Sequence, residues 1–193
     1  MKRICVYCGS SSGARQAYTH AAQALGKSLV RRGLGLVYGG SDVGLMGTLA
    51  DTVLSQGGEV IGVIPEPLVA KEVAHRGLTD LRIVHSMHER KAMMAELADA
   101  FIAMPGGFGT LEEFSEIVTW IQLGLHRKPC GLLNVEGYYD GLLAFLNHAV
   151  AEGFIHADYR AVVLTDAEPE ALVEKILSTS APHLRKWIDR DET

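Results

Sequence analysis

The sequence predicts an α/β protein: a Rossmann-like, mostly parallel sheet with helices on both faces. Two observations carry that prediction. Short apolar runs alternate with segments of helical periodicity through most of the chain, and several junctions where a run gives way to a helix are rich in glycine. Parallel strands need helical crossovers between them, and their carboxyl ends form the crevice in which such sheets bind ligands.

Taken in order, the first strand spans 3–7 (RICVY), entered directly from Lys2 and left through CGSSSG. A helical pattern over 16–32 leads to a strand at 35–38, then GGSDVGLMG turns the chain into a helix over 44–56. A strand at 60–64 is followed by a loop over 66–80 and a strand at 81–84. The helix over 87–98 has a start signal, since Ser86 and Glu89 stand at capping-box spacing. The apolar run FIAM lies in a strand at 100–104, and PGGFGTLEE carries the chain into a helix over 110–124, whose apolar stripe is Leu111, Phe114, Ile117, Val118 and Ile121. A strand at 130–133, a helix over 139–151, a strand at 161–164 and a helix over 168–178 complete the pattern. Residues 1–180 make one domain, and 181–193 read as a polar C-terminal tail.

A chain of 193 residues can bury about 70% of its extended surface in a single core. Hydrophobic residues at 48%, charged residues at 21% and a net charge of -5 fit a soluble globular protein and give no basic footprint for nucleic acid. The first apolar run is too short for a secretory signal, and no apolar stretch reaches the roughly 20 residues of a membrane span, so the expected location is the cytoplasm. The three cysteines make no disulfide framework. Cys5 and Cys8 have C-x-x-C spacing but lie in or just after a strand, away from the helix start that activates a redox thiolate; they read as core cysteines.

The glycine turns hold the first candidate site residues. Gly9 and Ser10 follow the first strand, Gly39 and Gly40 the second, and Gly106, Gly107, Gly109 and Thr110 the strand at 100–104. Glycine lets the backbone approach a ligand closely, and the free N–H groups of a helix start attract anions. None of these turns has the complete Walker A pattern, and the first strand is not followed by a clean G-x-G-x-x-G. Thr110 and Glu113 also fit a plainer role, as the two ends of a capping box.

Two charged residues fall where charge is costly. On a helical wheel Arg90 sits near the centre of the face made by Met87, Met93, Met94 and Leu97, and Glu113 lies closer to the buried stripe of its helix than Glu112 does. Arg90 therefore needs either an internal carboxylate or a bound phosphate. Lys91 extends the positive region but reaches solvent more readily, and Met87 stands at the edge of the pocket. His85 and His88 span a strand-to-helix boundary and make no metal geometry by their spacing. Trp120 and Leu123 lie off the main stripe and suggest a second packing surface.

Together MHERK and PGGFGTLEE resemble the LOG family, the cytokinin riboside 5′-monophosphate phosphoribohydrolases, and the likeness extends through CGSSSG and YGGSDVGLMG. Ser41 stands where the family often has a third glycine. Similar proteins have carried a lysine-decarboxylase label, but no lysine-centred pyridoxal phosphate signature is evident. The resemblance implies a homodimer that uses water to cleave AMP or an N6-modified AMP into free base and ribose 5-phosphate, with no metal or other cofactor. Arg90 and Glu113 would be catalytic. Gly106, Gly107, Gly109 and Thr110 would cradle the phosphate, and Gly9, Ser10, Gly39, Gly40, Met87 and Lys91 would complete the substrate site. A carrier of a nucleotide or of molybdenum cofactor, binding without turnover, is the alternative on a similar fold.

Overall fold

The computed structural model describes residues 1–69 and 74–179. The tail expected at 181–193, and residues 70–73 of the loop expected at 66–80, lie outside the described residues. In chain order the elements are β1 Arg3–Tyr7, α1 Gln16–Arg31, β2 Gly35–Tyr38, α2 Gly44–Ser55, β3 Val60–Pro65, α3 Glu66–Val69, β4 Asp80–Val84, α4 Met87–Leu97 and β5 Ala100–Ala103. They continue with α5 Phe108–Gln122, β6 Cys130–Leu133, a 3-10 turn Val135–Gly137, α6 Asp140–Ala151, α7 Ala157–Ala161, β7 Val163–Asp166 and α8 Pro169–Ser178.

Among the described residues the strands form one seven-stranded sheet in the order β4-β3-β2-β1-β5-β6-β7, and every pairing is parallel. Alternation along the strands builds two cores. Ile4 and Val6 of β1 face one side with Leu25, Leu29 and Leu49, while Cys5 and Tyr7 face the other with Met94, Phe114 and Ile117. Such two-sided burial is what continuous apolar strands require. Cys5 and Cys8 are free, buried and in opposite cores, and burial pushes both thiols up.

Three local expectations are corrected. β7 begins at Val163 rather than at 161, because residues 157–161 coil into α7, capped by His156, whose Nδ1 accepts from the Asp158 N–H at 3.3 Å. The loop expected after β3 opens with the one-turn helix α3. α5 starts at Phe108, two residues early, with Gly107 as its extended N-cap and no side-chain cap. Thr110 is therefore inside the first turn, and the Thr110–Glu113 capping box does not form. The other end of α5 closes as a Schellman motif: Gly124 adopts φ 72, its N–H donates to Ile121 O, and Leu125 N–H donates to Trp120 O.

β1 is the switch point of the sheet. The chain builds β2, β3 and β4 outward on one side, then returns to lay β5 against the other side of β1. The turns after β1, β2 and β5 meet at that point, as open α/β sheets require of a ligand crevice. Gly9 N–H donates to Pro105 O at 3.1 Å, and Leu45 N–H donates to Gly9 O at 3.2 Å.

Candidate active site

A cavity of about 320 Å3 opens over these strand ends. Gly9, Ser10, Gly39, Met87, Arg90, Gly107, Gly109, Thr110 and Glu113 all line it. The fold thus gathers residues from four turns and helix starts that are far apart in sequence.

Arg90 reaches this cavity because the start of α4 is well defined. Ser86 caps the helix by accepting from Glu89 N–H at 3.1 Å. The Glu89 carboxylate in turn accepts from the His85 N–H at 2.8 Å, one residue before the usual partner. One turn in, the Arg90 side chain is buried among three elements. Its Nε donates to Val63 O of β3 at 3.0 Å, its Nη1 donates to Glu113 Oε1 of α5 at 2.5 Å, and its Nη2 lies against Gly39 after β2. A methyl group on Gly39 would stand 2.5 Å from that Nη2, so the absence of a side chain at 39 is what admits the guanidinium.

Glu113 is buried and Glu112 exposed, as the helical wheel predicts. Burial pushes the Glu113 carboxyl up from its ordinary value, and the adjacent Arg90 charge opposes that shift. Of the two partners expected for Arg90, an internal carboxylate or a bound phosphate, the carboxylate is present as Glu113, and both members of the pair still border the cavity.

Three residues expected in the substrate site do not line the cavity. Lys91 Nζ is held by Glu112 at 2.5 Å and Glu116 at 3.1 Å, with its side chain 12% exposed, so it neither enters the pocket nor swings into solvent. The hydrogen bond to Glu112 is the main influence holding its ammonium charged. Gly40 is a backbone device, at φ 80 and packed against Ile64. Gly106 lies behind the cavity wall, where an added methyl would meet Thr110 Oγ1 at 2.1 Å and Gly9 N at 2.9 Å.

Ser41 is fully buried, bridges Ala74 and sits outside the left-handed region, so this loop keeps its course without a third glycine. Leu68 of α3, Phe108, Met46 and Cys8 also line the cavity. The sequence offers no signal for Leu68, because the segment after β3 has no periodicity, and none for Phe108, because it lies two residues before the expected start of α5. His85 and His88 are exposed, and among the described residues no group of three or more His, Cys, Asp or Glu could hold a metal ion. Glu59 makes a surface pair with Arg3. Among the described residues no helix is long and apolar enough to cross a membrane.

Fold and site together define a Rossmann-like α/β protein whose strand-end cavity joins a glycine-rich helix start to a buried arginine–glutamate pair. The chain belongs to the LOG family of cytokinin riboside 5′-monophosphate phosphoribohydrolases. It is 55% identical over 175 residues to a probable enzyme of that name from Oryza sativa subsp. japonica, covering 91% of this chain and 77% of the relative. With one of the Arabidopsis thaliana cytokinin riboside 5′-monophosphate phosphoribohydrolases it shares 51% identity over 91% of this chain and 81% of the relative. Residues 46–176 match the family model described as "Possible lysine decarboxylase". Among solved structures, the molybdenum cofactor carrier protein of Chlamydomonas reinhardtii superposes with a TM-score of 0.70 over 92% of this chain and 99% of that one, at 21% identity, a likeness of fold alone.

Proposed function

We propose that this protein is a phosphoribohydrolase that cleaves the N-glycosidic bond of AMP or of an N6-modified, cytokinin-type adenosine 5′-monophosphate. The observation that carries the reading is the buried Arg90–Glu113 pair bordering the same cavity as the amino end of α5. The amides of Phe108, Gly109 and Thr110 precede the first helical bond, from Leu111 N–H to Gly107 O, and present donors for a phosphate.

In the reaction the bond from ribose C1′ to the base nitrogen breaks, with its electron pair leaving on the base. Positive charge develops on the ribose, and a water oxygen forms the new bond to C1′. One water proton passes to the departing base, so the products are free base and ribose 5-phosphate. Glu113 provides negative charge against the oxocarbenium-like ribose and accepts a hydrogen bond from the attacking water. Because burial pushes its carboxyl up, it is also a better proton acceptor than an exposed glutamate. Arg90, fixed by Val63 O and Glu113, keeps that carboxylate oriented and charged.

A lysine-centred decarboxylase fits these residues poorly. Among the described residues no lysine lines the cavity, and the nearby Lys91 is bound to two carboxylates.

The reading includes a homodimer in the cytoplasm. Support for the dimer is the apolar surface at the end of α5, where Leu123 is 52% exposed while Trp120 packs partly against its own core. Incubation with AMP, with direct detection of adenine and ribose 5-phosphate in equal amounts, tests the activity. A protein that binds both AMP and an N6-modified AMP and releases neither base nor ribose 5-phosphate from either would be the carrier.

A further inference from the structure

The turn Met104–Pro105–Gly106 is tied at every carbonyl. Tyr139 hydroxyl donates to Met104 O at 2.6 Å, Gly9 N–H donates to Pro105 O at 3.1 Å, and Tyr138 hydroxyl donates to Gly106 O at 2.6 Å. Gly106 and Gly107 have the least intrinsic backbone order of any residues, so a turn made from them holds one shape only if something outside it does the holding. Tyr139 is buried and serves the core as well, whereas Tyr138 is 43% exposed and its hydroxyl is spent on this one carbonyl.

Tyr138 is itself held. Its ring lies edge-on to Tyr18 at 5.7 Å and to Tyr139 at 5.0 Å. The preceding Glu136 occupies the left-handed region at φ 48, uncommon for a residue with a side chain, and its carboxylate pairs with Arg15 at 2.9 Å. Asn134 closes the same turn, accepting from Tyr139 N–H at 2.6 Å.

A trans peptide points its N–H away from its C=O. Anchoring the Gly106 carbonyl on Tyr138 therefore turns the Gly107 N–H away from Tyr138, which stands outside the cavity that Gly107 lines. We infer that Tyr138 is a positioning residue for phosphate recognition: its hydroxyl locks the Gly106–Gly107 peptide so that the turn presents its donors before the nucleotide arrives. This rests on the phosphoribohydrolase reading, and it adds a residue that none of the three glycine turns contains. Preorganisation of this kind appears in affinity for the phosphate group, because the ordering cost is met before binding.

The test is Tyr138→Phe, which keeps the ring and removes the hydroxyl, compared with wild type for kcat and KM on AMP and on adenosine and for calorimetric binding of ribose 5-phosphate. Loss of one hydrogen bond should raise KM for AMP and weaken ribose 5-phosphate binding by about 2- to 10-fold, contracting the AMP-to-adenosine ratio of kcat/KM by a similar factor. An unchanged ratio in Tyr138→Phe, or equal losses on both substrates, overturns the positioning role and leaves the proposed activity standing. Tyr138→Ala separates ring from hydroxyl: a contraction seen in that variant alone assigns the effect to packing and also overturns the inference. Wild-type protein that fails to prefer AMP over adenosine removes the phosphate site itself.

Discussion

Arg90 of α4 and Glu113 of α5 meet at 2.5 Å with both side chains about one-tenth exposed, and the strand carbonyl of Val63 holds the guanidinium from a third side. Burying two charges is costly, and a pair of this kind often contributes less stability than an apolar pair of equal volume. Its position at the edge of a cavity, rather than deep in either core, gives the cost a chemical use.

Glu113→Gln should lower turnover of AMP by about 100-fold or more while nucleotide binding stays measurable, since the amide keeps the shape and loses the charge. Glu112→Gln should lose far less, because Glu112 is exposed and its partner Lys91 keeps a second carboxylate in Glu116. Steady-state kinetics with calorimetric AMP binding makes the comparison. Near-normal turnover in a folded Glu113→Gln protein would remove the catalytic assignment.

Arg90→Ala should destabilise the fold by about 3–5 kcal/mol, because it leaves a buried carboxylate without its counter-charge. The double variant Arg90→Ala with Glu113→Gln should recover part of that loss. Urea unfolding of the three proteins measures it; a single-variant cost below about 1 kcal/mol would place the pair with ordinary surface ion pairs.

Gly39→Ala should fold and lose activity. Its φ lies outside the left-handed region, so the backbone accepts alanine, but the new methyl would stand 2.5 Å from Arg90 Nη2 and 3.0 Å from Met46 Sδ. Gly141→Ala provides the contrast, since nothing lies within 4 Å of a methyl placed there and Gly141 stands away from the cavity. Activity retained equally by both variants would show that Arg90 can shift without consequence.

The pH profile should carry the sign of Glu113 burial. With the carboxyl raised above its ordinary value of 4.5, the acid limb of kcat/KM should lie above that of an exposed glutamate. For stability the sign reverses. The folded carboxyl holds its proton more tightly than the unfolded one, so the group costs stability at neutral pH, and the cost is relieved as pH falls from the folded toward the unfolded pKa. An acid limb at or below the ordinary glutamate range would contradict the shift.

Most of the architecture was legible in the sequence because strands buried on both faces and helices buried on one leave different periodicities. The alternation settled the α/β class and located six of the seven strands to within one residue at each end; β7 alone was displaced, by two residues, by a helix too short to show a period. The wheel positions of Arg90 and Glu113 were also legible, since a charge on an apolar face stands out without any structure. What those charges do was not. Nothing local relates residue 90 to residue 113; the partnership exists because the sheet order brings α4 and α5 over the same strand ends. For the same reason Lys91, adjacent to Arg90 in sequence, was read as a pocket residue and is instead consumed by Glu112 and Glu116, while Tyr138, in a segment without a glycine motif, reaches Gly106 O. Sequence by itself determined which residues must be buried, because burial follows from local pattern; which buried or half-buried polar groups satisfy one another is a matter of distances across the fold, and only the tertiary structure decided it.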